Sequence, residues 1–402
     1  MRTIIKNGKV ITPFRLIENG GVVVEGRKII EVFQGQPEVI LDGDRIIDAG
    51  CHYISPGFID IHTHGGGGHD FMDGTLEAMV EGCKTHMFYG TTSIVPTTIT
   101  STMDELYNTF DNLRKARETM RQGPNILGIH LEGPYFSMEQ KGAQDPQYIK
   151  KPDKEEYQKI LNRTNDIIRW TVAPELDGAL EMGDELRRRG VLACIGHSDA
   201  VYEQVVKAYE HGYTHITHLY SGMSTVKRIN AYRYAGVVES AYLIDGMTVE
   251  IIADGKHLPE SLLKLIYKIK GADGICLVTD SMRAAGMPEG ETILGSLKNG
   301  KKVIVEDGVA KLMDRTAFAG SVATADRLVR TMVKKVNVPL REAVQMMTYT
   351  PAKVIGIDKD KGSLSSGKDA DIIVFDQNIC VSLVMVKGEI CLNRECNDPA
   401  LA

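Results

Sequence analysis

The chain has 402 residues, 25% of them charged and 43% hydrophobic, which excludes a disordered protein. Its formal net charge is −6 and it has no basic stripe, which argues against a nucleic-acid partner. No apolar run reaches the ~18 residues of a membrane span, so no membrane association is expected.

The start, Met1-Arg2-Thr3-Ile4-Ile5-Lys6-Asn7-Gly8, lacks the apolar core of a secretory leader. Seven cysteines, at 51, 83, 194, 276, 380, 391 and 396, form no Cys-x-x-Cys pair. That pattern reads as reduced thiols in a cytoplasmic protein. The length suits two or three domains, or one large α/β barrel with an appendage.

The first 50 residues hold short strand candidates at 3–5, 10–12, 21–24, 28–32 and 45–47, separated by Asn-Gly and Glu-Gly turn signals. β-rich segments return at 370–375 and 381–386, with a hairpin around Val386-Lys387-Gly388-Glu389-Ile390. Neither end has enough apolar surface to stand alone. Both are therefore expected to share one small β domain, residues 1–54 with 355–395, and the chain is expected to fray past about 392.

Between 55 and 354 the pattern becomes strand, loop, helix. Strand candidates are 57–62, 92–96, 126–132, 168–172, 191–196, 214–218, 250–253 and 274–280, eight in all. Amphipathic helices are predicted at 76–88, 103–121, 154–161, 179–189, 200–211, 260–270 and 321–336. An open doubly wound sheet and a (β/α)8 barrel both fit alternation, and the count of eight favours the barrel. Gly65-Gly66-Gly67-Gly68 follows a strand but is not laid out as a phosphate loop.

His62-Thr63-His64 ends the first of these strands. Residues i and i+2 on a strand point the same way, so both imidazoles can meet one ion. Glu132, His197, His218 and Asp280 end the third, fifth, sixth and eighth strands. Strand ends of a barrel ring one cavity, so these distant residues can share a centre. Imidazoles with carboxylates suit zinc, iron, manganese or cobalt, and six ligands exceed the usual three of one catalytic zinc. A pair of divalent ions bridged by a carboxylate is expected, with zinc the default and iron or manganese compatible. His130 reads as structural or as standing behind the ligands, as do Ser198 and Thr217. His69, His86 and His215 read as solvated or core residues.

Pro56-Gly57-Phe58-Ile59-Asp60-Ile61-His62-Thr63-His64-Gly65 resembles the opening signature of the amidohydrolase superfamily. His130-Leu131-Glu132-Gly133-Pro134, Gly196-His197-Ser198, Thr217-His218-Leu219-Tyr220, Ala253-Asp254-Gly255-Lys256-His257 and Leu277-Val278-Thr279-Asp280 resemble the N-acetylglucosamine-6-phosphate deacetylase family. The resemblance covers nearly the whole chain. It implies a (β/α)8 TIM-type barrel with a small β domain from both termini. It also implies a homodimer in which each subunit helps complete the other's sugar-phosphate site.

The implied roles are His62, His64 and Asp280 for one ion, Glu132 for the bridge, and His197 and His218 for the other. Asp280 would also be the catalytic base and then the acid. His257 resembles the residue that contacts the phosphate. Two segments depart from the family pattern. Tyr220-Ser221-Gly222-Met223 stands where Asn-Ala-Met is common, leaving Ser221 and Gly222 as backbone donors to the phosphate. Gly142-Ala143-Gln144 places Gln144 where a histidine is common, near the acetyl group. Arg228 and Arg233, with Lys227 as a rival, are the candidates for the phosphate-binding cation.

The expected reaction is hydrolysis of N-acetylglucosamine 6-phosphate to glucosamine 6-phosphate and acetate. The alternatives are the galactosamine epimer, another N-acyl amine or a cyclic amide. A metal-stabilised scaffold without activity would leave Asp280 unexplained.

Overall fold

The computed structural model describes residues 2–395. Eight parallel strands form the barrel: Phe58–Thr63, Thr91–Pro96, Ile129–Glu132, Ile167–Val172, Leu192–Ile195, Tyr213–Ile216, Thr248–Ile251 and Ile275–Leu277. The third to eighth make one continuous sheet and the first two lie in another. The ring closes at the carboxyl ends of the strands. There the Thr98 amide donates to the His130 carbonyl at 3.0 Å, and the Asp280 amide to that of His62 at 2.9 Å.

Ile59, Ile61, Val95, Ile252, Cys276 and Val278 form one buried apolar cluster with Ala352 of the helix Tyr349–Val354. The surrounding helices bury one face each, and local chemistry starts them. Thr102 and Glu105 form a reciprocal capping box on Met103–Thr119, and Thr75 accepts from the Ala78 amide at Leu76–Met87. Helix Glu260–Lys270 has the predicted bounds. Helices Val237–Leu243, Leu340–Met347 and Tyr349–Val354 were not predicted.

The small β domain is an eight-stranded sheet. It unites Arg2–Ile11, Leu16–Glu25, Lys28–Gln34, Arg45–Asp48 and Tyr53–Pro56 with Ile372–Phe375, Val381–Val386 and Glu389–Asn393. The candidates 3–5 and 10–12 prove to be one strand. Asn7-Gly8 lies in an irregularity of that strand rather than a turn, with Asn7 at φ 58°. The C-terminal hairpin turns at Lys387 and Gly388, both left-handed (φ 47° and 81°), as a tight hairpin requires. The expected fraying past about 392 does not begin there: Asn393 pairs with Leu383, and Arg394 donates to the Val381 carbonyl at 3.1 Å. Residues 396–402 lie outside the described part.

Cys380 is disulfide-bonded, which corrects the expectation of reduced thiols throughout. Sequence spacing does not report which cysteines the fold brings together. Cys51, Cys83, Cys194, Cys276 and Cys391 are free. A second unpredicted feature follows the eighth barrel strand. Gly290–Leu294, Lys301–Glu306 and Val309–Leu312 form a small antiparallel sheet that forms part of the cavity wall at the barrel mouth.

Candidate active site and metal centre

The six predicted ligands meet at the carboxyl end of the barrel, and Glu132 stands between them. Its Oε1 lies 2.9 Å from His218 Nε2, 3.3 Å from His197 Nε2 and 3.6 Å from His62 Nε2. Its Oε2 lies 3.4 Å from His64 Nε2. Asp280 Oδ1 is 3.2 Å from His64 Nε2 and 3.5 Å from His62 Nε2. Two groups with metal-ligand geometry therefore share one carboxylate: His62, His64 and Glu132, and Glu132, His197 and His218.

The backbone turns these side chains inward at some strand ends. His197, His218 and Asp280 each sit at positive φ, 47°, 29° and 44°. The outer nitrogens of two rings are tied down. His62 Nδ1 pairs with Glu250 Oε2 at 3.0 Å, and His197 Nδ1 donates to the Gln140 carbonyl at 2.8 Å. That tautomer leaves Nε2 of each ring with a lone pair facing the centre. Four imidazoles and two carboxylates suit divalent transition ions, and the shared Glu132 suits a pair of them.

Burial alone would raise the Glu132 carboxyl. Hydrogen bonds from His197, His218 and His64 overcome it and hold the group well below the usual carboxylate range. Asp280 is likewise pushed up by burial but brought down by His62 and His64. Both are thus carboxylates at neutral pH, the form that binds cations.

Behind the ligands lies a polar network that sequence reading missed. Glu250, fully buried on the seventh strand, takes His62 on one oxygen and Arg169 on the other. His215 Nε2 lies 3.4 Å from the same carboxylate, and the His218 amide donates to it at 3.2 Å. Burial pushes Glu250 up, yet the Arg169 and His62 charges keep it well below its ordinary value. Arg169 also donates to the Ile61 carbonyl at 3.0 Å, across the barrel. The available signal was a charge inside an apolar run, Ile168-Arg169-Trp170 and Val249-Glu250-Ile251.

Other predicted residues sort cleanly. His130 is not a ligand: its nitrogens meet Thr97 Oγ1 at 3.2 Å and Thr171 Oγ1 at 2.7 Å. His86 is buried and donates to the Gly65 carbonyl at 2.8 Å, holding the glycine loop. Thr217 Oγ1 lies 2.8 Å from Thr171 Oγ1, and Ser198 donates to Glu175.

A cavity of about 350 Å³ opens above the ligands, and Gln144, Ser221, Gly222 and His257 all line it. Gln144 donates to Glu132 Oε2 at 2.9 Å, while its carbonyl accepts from the Thr100 amide and hydroxyl at 3.0 Å. One amide proton of Gln144 is thus committed to Glu132. His257 donates through Nδ1 to Asp254 at 2.8 Å and packs on Phe318, 4.8 Å between centroids.

Arg228 and Arg233 are not brought to this cavity. They lie exposed on the hairpin Lys227–Ile229 and Tyr232–Tyr234, and Lys227 pairs with Asp199. The lysine that does line the cavity is Lys301, from the antiparallel sheet, which donates to the Ala143 carbonyl at 3.3 Å.

The sequence profile of the amidohydrolase family matches residues 53–391. The N-acetylglucosamine-6-phosphate deacetylase of Lysinibacillus sphaericus is 34% identical over 388 residues, 96% of this chain and 97% of that protein. The N-acetylgalactosamine-6-phosphate deacetylase of Escherichia coli O157:H7 is 30% identical over 346 residues, 86% of this chain and 89% of that protein. Among solved structures, N-acetylglucosamine-6-phosphate deacetylase from Pasteurella multocida superposes with a TM-score of 0.90 at 30% identity, covering 98% of this chain and 100% of the other. A variant of the Mycobacterium smegmatis enzyme in complex with N-acetyl-D-glucosamine-6-phosphate gives 0.88 at 30% identity, covering 98% and 99%. With its barrel, its appended sheet and its paired ligand groups, the chain belongs to the amidohydrolase superfamily and, within it, to the N-acetylglucosamine-6-phosphate deacetylase family.

Proposed function

We propose that the protein hydrolyses N-acetylglucosamine 6-phosphate to glucosamine 6-phosphate and acetate with divalent metal. The observation that carries this reading is Glu132 shared between two pairs of histidines, with Asp280 beside them, at the floor of a cavity sized for a small molecule. His62, His64 and Asp280 would hold one ion and His197 and His218 the other, with Glu132 common to both. Divalent ions there supply a water acidified toward neutrality and a Lewis acid for the amide carbonyl.

Asp280 takes the proton of the attacking water at Oδ and returns it to the amine nitrogen as the C–N bond breaks. An amine leaves poorly unless protonated, so this acid step is required. The free proton of Gln144 is placed to donate to the carbonyl oxygen as it gains charge. Ser221 and Gly222, through backbone amides, and His257 would meet the phosphate.

The reading includes a homodimer. Arg228 and Arg233 lie on a hairpin outside their own cavity, and Tyr232 and Val226 beside them are 72% and 58% exposed. A second copy that received this hairpin would gain the guanidinium its own cavity lacks. Among the described residues no helix is long and apolar enough to cross a membrane, and a cytoplasmic setting belongs to the same reading. Zinc is the default ion, with iron and manganese compatible with the ligands.

The test is metal analysis of protein purified without added metal, paired with acetate release from the 6-phosphates of N-acetylglucosamine and N-acetylgalactosamine and from their unphosphorylated forms. About two ions per chain and preferred turnover of the gluco phosphate are expected. Preference for the galacto epimer would move the assignment to that substrate. Equal turnover without phosphate would remove the roles given to Arg228, Arg233 and His257.

A further inference from the structure

The charge around the cavity is uneven. Glu105, Glu132, Asp145 and Asp280 line it, and among the described residues Lys301 is the one lysine or arginine that does. A doubly charged phosphate that enters there meets carboxylates on several walls and a single permanent cation.

That cation is uncommitted. Its neighbours are not: Arg283 binds Asp73 and the Gly68, Ile293 and Gly295 carbonyls, Lys227 pairs with Asp199, and Arg327 binds the Gly308 and Asp254 carbonyls. Lys301 is exposed, and its one hydrogen bond among the described residues is to a neutral acceptor, the Ala143 carbonyl, at 3.3 Å. Asp314 is near enough to feel its charge, but takes its hydrogen bonds from the amide and hydroxyl of Thr316.

The turn that carries Lys301 is firmly held. The Gly300 amide donates to the Ser296 carbonyl at 2.7 Å, Asn299 to Glu105 at 2.8 Å and the Leu297 amide to Asp73 at 3.0 Å. Lys301 itself pairs across the sheet with buried Leu294. Its base is therefore fixed while its four-carbon stem can swing. Its anchor also lies next to the main chain assigned above to the phosphate. Gly142, which precedes Ala143, and Gly222 both face the ring of His197: a Cβ on either would come within 3.6 Å and 2.9 Å of it.

We propose that Lys301 is a specificity-determining residue: the cation this chain itself supplies to the substrate's phosphate, beside the arginines of a second copy. The inference rests on the deacetylase reading above. On binding, the ammonium leaves the Ala143 carbonyl and donates to a phosphate oxygen, exchanging a neutral acceptor for a charged one. It takes no part in breaking the amide.

The experiment measures kcat/KM for N-acetylglucosamine with and without the 6-phosphate, using metal-loaded wild type, K301Q and K301R. Lys301→Gln removes the charge and should lower the phosphorylated-to-unphosphorylated ratio about tenfold, through KM. Lys301→Arg keeps a cation that pairs with phosphate and should hold the ratio within about threefold of the wild type. Thermal unfolding checks that both variants are folded. An unchanged ratio in K301Q, whether from no loss or from equal loss on both substrates, would overturn the inference and leave the deacetylase reading standing. A ratio lowered as far in K301R as in K301Q would overturn it too, because charge would then not be what counts. A wild type that turns over both substrates equally, or neither, would sink the reading beneath it, and the inference with it.

Discussion

The floor of the cavity and its rim are built on different terms. On the floor, each ligand leaves the end of a buried strand, and two of them are held from behind: His62 by Glu250 of the seventh strand, and His197 by the Gln140 carbonyl of the turn Met138–Gln140. At the rim, Arg228 and Arg233 stand exposed on a two-stranded hairpin, and Lys301 is exposed on an appended sheet. Chemistry that tolerates little displacement is thus placed where the backbone is fixed by the ring of strands. Under the proposed reading, recognition of the substrate's far end would fall to these rim segments.

Floor and rim should therefore fail differently. Asp280→Asn is expected to lower kcat about 10³-fold or more with little change in KM, read by steady-state acetate release. Substantial turnover in that variant would remove the proton transfer assigned to Asp280. Glu250→Gln should weaken metal binding about 10–100-fold while leaving all six ligands in place, measured by competition with a metallochromic chelator. Full chelation should abolish turnover and lower the Tm, because ions that bind only the folded protein stabilise it.

Arg228→Ala with Arg233→Ala should raise KM about tenfold or more and spare kcat, the opposite signature to the floor. A fall in kcat alone would dissolve the division between the two regions. The last effect concerns stability. Burial pushes His86 down from 6.5 to about 4, so the folded protein resists a proton that the unfolded chain accepts. Its contribution is complete above pH 6.5 and declines as pH falls toward 4, by about 3 kcal/mol in all. His86→Gln should flatten that part of the pH dependence of unfolding, measured with denaturant.

The floor was largely legible in the sequence because strand periodicity converts spacing into direction. His62 and His64 face one way by the period of two, and Glu132, His197, His218 and Asp280 each follow an apolar run that only a buried strand explains. Arg169 and Glu250 were not found, because their partnership spans 81 residues and depends on strands facing across a closed ring. The rim was less legible still. Lys301 follows the polar segment Ser296-Leu297-Lys298-Asn299-Gly300, which carries no clear strand pattern, yet the fold places it at the cavity wall. Arg228 and Arg233 were picked out by charge, but no spacing rule says whose cavity they serve. Asn7-Gly8 misled in the other direction: a strong turn signal was absorbed as an irregularity within a longer strand.

The left-handed backbone at His197, His218 and Asp280 has a thermodynamic consequence. Residues with a Cβ lose about 1–2 kcal/mol each in that conformation, a burden glycine escapes. A chain refined for robustness alone would carry glycine at these three places and would be a sturdier, inert barrel. Part of the fold's reserve is therefore tied up in aiming ligands, and recovering it by mutation would mean surrendering the centre they form.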